Sequence, residues 1–113
     1  MEFSTRTANH NHIAIGEMTG RFDALEAPKM STWLDTVSGQ SPAQVIVNMA
    51  GVTFVDSTAL STLVKGMKRC RQQNGDLLIC NLQKQVKVIF ELTRLDKAFS
   101  IHPDEASAIR ALT

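Results

Sequence analysis

Ala43–Asn74, AQVIVNMAGVTFVDSTALSTLVKGMKRCRQQN, decides how this chain folds. Val45, Ile46, Val47 and Met49 form a short apolar run, rich in β-branched residues, that suits a strand covered on both faces. Gly51 is expected to break that pattern, and Val52, Phe54 and Val55 to return to the core. Asp56-Ser57-Thr58 is the strongest helix-start signal in the chain, because short oxygen-bearing side chains accept hydrogen bonds from orphan backbone N–H groups. Leu60, Leu63, Val64 and Met67 then recur at helical spacing and Cys70 extends the stripe. Ser61, Thr62, Lys65, Lys68 and Arg69 take the other side.

Ser57 therefore falls at a helix N-terminus, on a connection leaving a buried strand. A phosphate on its hydroxyl would meet free N–H groups and the positive end of the helix dipole. Such a site accepts a large change of charge without unfolding the domain.

Working toward the N-terminus, Gly39-Gln40-Ser41-Pro42 reads as a loop. Before it, Leu25, Met30, Trp33, Leu34 and Val37 supply the apolar face of a helix over about residues 24–38, with Asp23 as its cap and Pro28 near its start. Trp33 reads as a packing residue. Residues 12–19 alternate as a strand, with Ile13 and Ile15 on one face and Ala14 and Met18 on the other; Gly20 is expected to end it. Residues 1–11 read as either an edge strand or a loose tail. His10 and His12, at alternate positions, read as a surface pair, since no Cys, Asp or Glu lies near them to complete a metal site.

Toward the C-terminus, Asn74-Gly75-Asp76 closes the central helix. Leu77–Cys80 is the next strand, so strand, crossover helix and strand form a βαβ unit with two parallel neighbours. A helix over residues 83–93 places Val86, Ile89, Phe90 and Thr93 in its stripe. Leu95 and Phe99 anchor a connection to a short strand at residues 98–101, and Asp104 caps a terminal helix bearing Ala108, Ile109 and Leu112.

The chain has 113 residues, enough for one domain spanning 1–113, and 43% of them are apolar, which argues for a globular fold. A formal net charge of +1 creates no field that points to nucleic acid or an anionic membrane. No apolar run is long enough to span a bilayer and the start lacks a signal-peptide pattern, so the expectation is a cytoplasmic protein with no membrane partner. Cys70 and Cys80 give no disulfide framework and read as buried thiols in a reducing compartment.

Constellations for catalysis are nearly absent. There is no HExxH, CxxC, glycine-rich phosphate loop or nucleophile elbow, and no histidine or lysine is visibly placed to deprotonate Ser57. The expectation is a non-enzyme without metal or cofactor. Lys65, Lys68, Arg69 and Arg71, with no acidic residue until Asp76, form either a solvated helix face or a contact for an acidic partner.

Three segments together resemble one family. NMAGVTFVDSTALSTLVKGMKRCRQQNGDLLICN (48–81) is similar to the central motif of STAS domains, in particular the bacterial anti-sigma-factor antagonists. GEMTGRFDALEAP (16–28) resembles the family's early strand and turn, and VKVIFELTRLDKAFSIHPDEASAIRAL (86–112) its later helix, short strand and terminal helix. The resemblance implies an α/β STAS fold, a mixed, mostly parallel β-sheet packed with about four α-helices. It also implies binding to an anti-sigma factor that is a GHKL-type serine kinase, release of a sigma factor, loss of binding on phosphorylation of the corner serine, and its restoration by a PP2C-type phosphatase. The acceptor is then Ser57, with Thr58 as the alternative. The implied partner-binding residues are Asp23, Asn48, Asp56, Ser57, Thr58, Ser61 and Lys65. Many relatives carry aspartate where Asn48 stands, and that position is expected near the acceptor. The competing reading is a STAS scaffold subunit of a stressosome-like or lipid-transport complex. A small enzyme or nucleotide-binding protein is a third, disfavoured by the missing catalytic constellation.

Overall fold

The apolar run at residues 45–49 lies at the centre of the sheet. A computed structural model describes residues 2–113 and arranges five strands in the order β1-β2-β3-β4-β5. The strands are β1 (Glu2–Ala8), β2 (Ile13–Phe22), β3 (Gln44–Val55), β4 (Asp76–Cys80) and β5 (Ser100–His102). β1 pairs antiparallel with β2, and the other three pairings are parallel. The helices are α1 (Ala27–Val37), α2 (Ser57–Gln72), α3 (Lys84–Leu92), α4 (Leu95–Ala98) and α5 (Glu105–Leu112).

Strand alternation sends side chains to two unequal faces. On one face Val45, Val47, Met49, Leu77 and Ile79 join Met30 and Leu34 of α1, Leu63 and Met67 of α2, and Val86 and Phe90 of α3 in one buried cluster. On the other, Ile13, Ile15, Ile46, Leu78 and Cys80 are covered by α5 through Ala108, with Ile109 and Leu112 at its margin. Each fully buried Leu, Ile or Phe contributes about 1.5–3 kcal/mol of transfer free energy. β3 feeds both clusters and so holds the two layers together.

The structure resolves or changes several of the expectations. Residues 2–8 form an edge strand, the first of the two alternatives. Gly20 does not end β2: it adopts φ 91°, the register shifts between Gly20 and Arg21, and the strand runs on to Phe22. Gly51 does not break β3 either. It pairs with Thr19, and a Cβ at position 51 would lie 2.5 Å from Thr19 Cγ2, so the glycine serves close strand approach. Asp23 is not the α1 cap: Glu26 holds that position without a side-chain cap bond, and Pro28 sits in the first turn. Thr93 lies outside the α3 stripe as its exposed C-cap. The connection at residues 95–98 winds into α4, which makes five helices rather than about four. His10 and His12 lie on the β1–β2 turn, exposed, not on a strand. Cys70 and Cys80 are free and buried, and burial pushes their thiols up to about 11 and about 12.

Candidate functional site

Val52 and Val55 are buried and pin the end of β3, so the chain leaves the sheet at a defined point. Asp56 follows in extended conformation as the N-cap of α2. One carboxylate oxygen, Oδ1, accepts from Ala59 N at 2.9 Å. The other, Oδ2, accepts from Ala24 N at 2.9 Å, across the junction to the segment that leads into α1. Asp56 is therefore both a helix cap and a clasp between two connections on the same end of the sheet.

With Asp56 committed to these bonds, Ser57 and Thr58 open α2 on its exposed side. Their backbone N–H groups belong to the set that a helix start leaves without intrahelical acceptors. The first turn carries no acidic side chain. One turn later, Ser61 and Lys65 are also exposed, and Thr62 Oγ1 donates to Thr58 O at 2.9 Å. Thr58 and Thr62 form one wall of an open groove of about 320 Å³, whose other wall is Ala27, Pro28 and Ser31 of α1.

Asp23 orders the adjacent turn. Its Oδ1 accepts from Leu25 N at 3.1 Å and Glu26 N at 3.3 Å, and its Oδ2 lies 3.8 Å from Arg21 Nε. The Arg21 guanidinium stacks 4.0 Å from the centre of the Phe54 ring. Leu25 is 87% exposed and Phe54 37% exposed. Both were expected in the core; instead they flank the Asp56 clasp and give the polar corner an apolar margin. A signal for Leu25 was available, since it follows Asp23 in a turn that a hydrogen-bonding aspartate favours. Phe54 had none, because the register shift between Gly20 and Arg21, which leaves Thr53 without a strand partner, breaks the alternation of β3 just before it.

The basic face of α2 divides in two. Arg69 pairs with Asp35 of α1, and Arg71 donates to Asp76 Oδ1 at 3.0 Å and Ala98 O at 2.8 Å. Those two arginines staple the fold. Lys65 and Lys68 remain on the exposed side.

Asn48 does not lie beside Ser57. Its strand partner is Glu17, whereas the partner of Val55, just before the corner, is Phe22. Five residues of strand, about 17 Å, separate those partners. Asn48 is 6% exposed and its amide makes three hydrogen bonds: Nδ2 donates to Glu105 Oε2 at 2.9 Å, and Oδ1 accepts from Ala50 N at 3.0 Å and Asn81 Nδ2 at 3.2 Å. Arg6 of β1 bonds the same Glu105 oxygen. The Arg6 hydrogen bond, and with it the one from Asn48, holds the Glu105 carboxyl below its ordinary value against the opposing cost of burial. Of the seven residues singled out in the sequence, Asp23, Asp56, Ser57, Thr58 and Ser61 gather at the corner, Lys65 lies two turns along α2 on its exposed side, and Asn48 stands apart in the sheet. Among the described residues, no group of three or more His, Cys, Asp or Glu is arranged to hold a metal ion, and no helix is long and apolar enough to cross a membrane.

Comparison with known proteins gives the family and matches the fold. The STAS domain family matches residues 4–108. The chain is 27% identical over 101 residues to an anti-sigma-B factor antagonist of Listeria monocytogenes, covering 89% of this chain and 86% of that protein. The crystal structure of an anti-sigma factor antagonist from Mycobacterium paratuberculosis superposes with a TM-score of 0.83 at 22% identity, covering 98% of this chain and 94% of that one. The Bacillus cell-fate determinant SpoIIAA in its phosphorylated form matches with a TM-score of 0.74 at 16% identity, covering 97% and 99%.

Proposed function

The chain belongs to the STAS domain family, and from that premise we propose that it is an anti-sigma-factor antagonist whose binding is switched off by phosphorylation of Ser57. The names of its relatives support the first half of this reading, and the family is one of regulators rather than enzymes. The observation that carries the second half is the position of Ser57: exposed, at the first residue of α2, beside an aspartate already consumed as cap and clasp.

The proposed partner is an anti-sigma factor that is a GHKL-type serine kinase, and the proposed reset enzyme is a PP2C-type phosphatase, all acting in the cytoplasm. The partner surface comprises Asp23, Asp56, Ser57, Thr58, Ser61 and Lys65, with Leu25 and Phe54 as its apolar margin. Asn48 contributes from within the sheet by holding the strand that leads to the corner. Phosphorylation adds about −1.5 to −2 charges. In the free protein the start of α2 and water accommodate that charge. Beneath a docked partner it must be desolvated next to Asp56, and the complex dissociates. Thr58, one residue on, is the alternative acceptor.

Phosphosite mapping by mass spectrometry on the protein from its native cells tests this reading. The expected result is a phosphate on Ser57 that disappears in Ser57→Ala. Phosphate on Thr58 alone would move the switch by one residue. Its absence from both residues in every growth condition would leave an unswitched scaffold subunit as the function.

A further inference from the structure

The sheet has two edges of different character. β5 is three residues long and is followed at once by Pro103, which limits further pairing. β1 is seven residues long and pairs only with β2, so the backbone of its other side meets no strand among the described residues. Glu2 and Ser4–Thr7 are exposed. Natural edges are blunted by proline, bulges or charge, because an open edge is a template for another strand. β1 contains no proline, and its pairing with β2 runs without a register shift. What it does contain is one charge of each sign, Glu2 and Arg6, placed symmetrically about Ser4.

We propose that β1 is a self-association edge, on which a second copy of this chain pairs antiparallel about a two-fold axis at Ser4. In that register Glu2 of each copy faces Arg6 of the other, and Phe3 faces Thr5. Glu2 and Arg6 are the only charged residues of β1, so no other antiparallel register brings opposite charges face to face. Opposite charges directly across a strand pair are favourable and like charges are not. Arg6 already bonds Glu105, but a guanidinium carries five donors and this side chain is half exposed, so both carboxylates are served. The same edge carries Phe3, edge-on to Trp33 with ring centres 5.5 Å apart, and both rings are only partly buried. A second copy covers their open side. Isologous pairing of this kind closes on itself and yields a dimer with a continuous ten-stranded sheet. None of Glu2–Arg6 belongs to the Ser57 corner, so dimerisation and the proposed switch stand or fall separately.

Cross-linking and sedimentation test the register. Ser4→Cys places two thiols opposite each other, about 4.5–5.5 Å apart at Cβ. Thr7→Cys places them about 20 Å apart along the strands. Cys70 and Cys80 are buried and do not compete. Under mild oxidation Ser4→Cys is expected to form covalent dimer at least tenfold faster than Thr7→Cys. In sedimentation, Glu2→Arg is expected to weaken association by about tenfold or more. Mixing Glu2→Arg with Arg6→Glu restores it, with circular dichroism confirming that each variant is folded. A wild-type chain that stays monomeric at the highest concentration, equal cross-linking at positions 4 and 7, or a Glu2→Arg dimer as tight as the wild type would each overturn the proposal.

Discussion

Two clusters of short polar side chains sit at different depths in this molecule. At the corner, Asp56 spends its carboxylate on backbone N–H groups and leaves Ser57 and Thr58 facing water. In the sheet, Asn48 makes three amide hydrogen bonds, to Glu105, Ala50 and Asn81, beneath α5. Each cluster clasps one element to another. The corner joins α2 to the entry of α1, whereas the sheet cluster joins β3 to α5 and, through Arg6, to the β1 edge. Only the first leaves hydroxyls free, so charge can be added there at low structural cost. In the second, each partner is already matched to a complementary one, and an added charge has nowhere to go.

The comparison breaks most directly at Asn48→Asp. That change removes the donor facing Glu105 and sets a carboxylate oxygen against it, while Ala50 N and Asn81 Nδ2 still serve the other oxygen and Arg6 still serves Glu105. We expect a loss of about 2–3 kcal/mol at neutral pH, read by urea denaturation. The loss should shrink as pH falls, because repulsion raises the pKa of the carboxylate pair and protonation relieves it. A variant as stable as the wild type would show that α5 does not depend on this contact.

Asp56→Ala should cost less, about 1–2 kcal/mol, since it removes one cap bond and one clasp bond at a part-exposed site. Asp56→Asn retains an acceptor and should cost under half as much. If the two cost the same, the retained cap bond to Ala59 carries little and the loss is that of the bond to Ala24.

A pH titration of the wild type sharpens the contrast. Glu105 is held below its ordinary value of 4.5, so it contributes stability above that pH. The contribution is lost as pH falls through the lower value in the folded state. With a half-exposed Arg6 partner, such a pair contributes no more than about 1 kcal/mol. Glu105→Gln should flatten that part of the profile, and an unchanged acid limb would exclude Glu105 as its source. The smallest effect is expected at the corner itself: Ser57→Asp should shift stability by less than about 0.5 kcal/mol. A Ser57→Asp chain that melts well below the wild type would argue against a site designed to take charge.

Much of this was legible before any coordinates. Strand, corner and helix at residues 43–74 followed from apolar periodicity and a cap triplet, and α2 begins where Asp56 predicted, with Ala59 N on its carboxylate. The parallel pairing of β3 and β4 followed from the length of the crossover. These are local signals, set by residues a few positions apart. The glycines misled for the opposite reason. Gly20 and Gly51 look like strand breakers in isolation, but their roles depend on a neighbouring strand distant in sequence. Asn48 misled in the same way: sequence proximity to the corner suggested spatial proximity, yet a strand separates its residues by more than 3 Å each.

The sequence by itself therefore determined β2, β3, α2, β4, α3 and α5 and their order, the α2 cap and the exposed serine that follows it, because each depends on neighbours within a helical turn or a strand pleat. Only the tertiary structure decided what Asn48 holds, which arginines of α2 are consumed and which lysines remain, that Leu25 and Phe54 rim the corner, and that β1 is an open edge of the sheet. The physical reason is range. A cap or an apolar stripe is satisfied within its own segment, whereas the amide of Asn48 finds Glu105 57 positions away and Arg6 reaches it across 99.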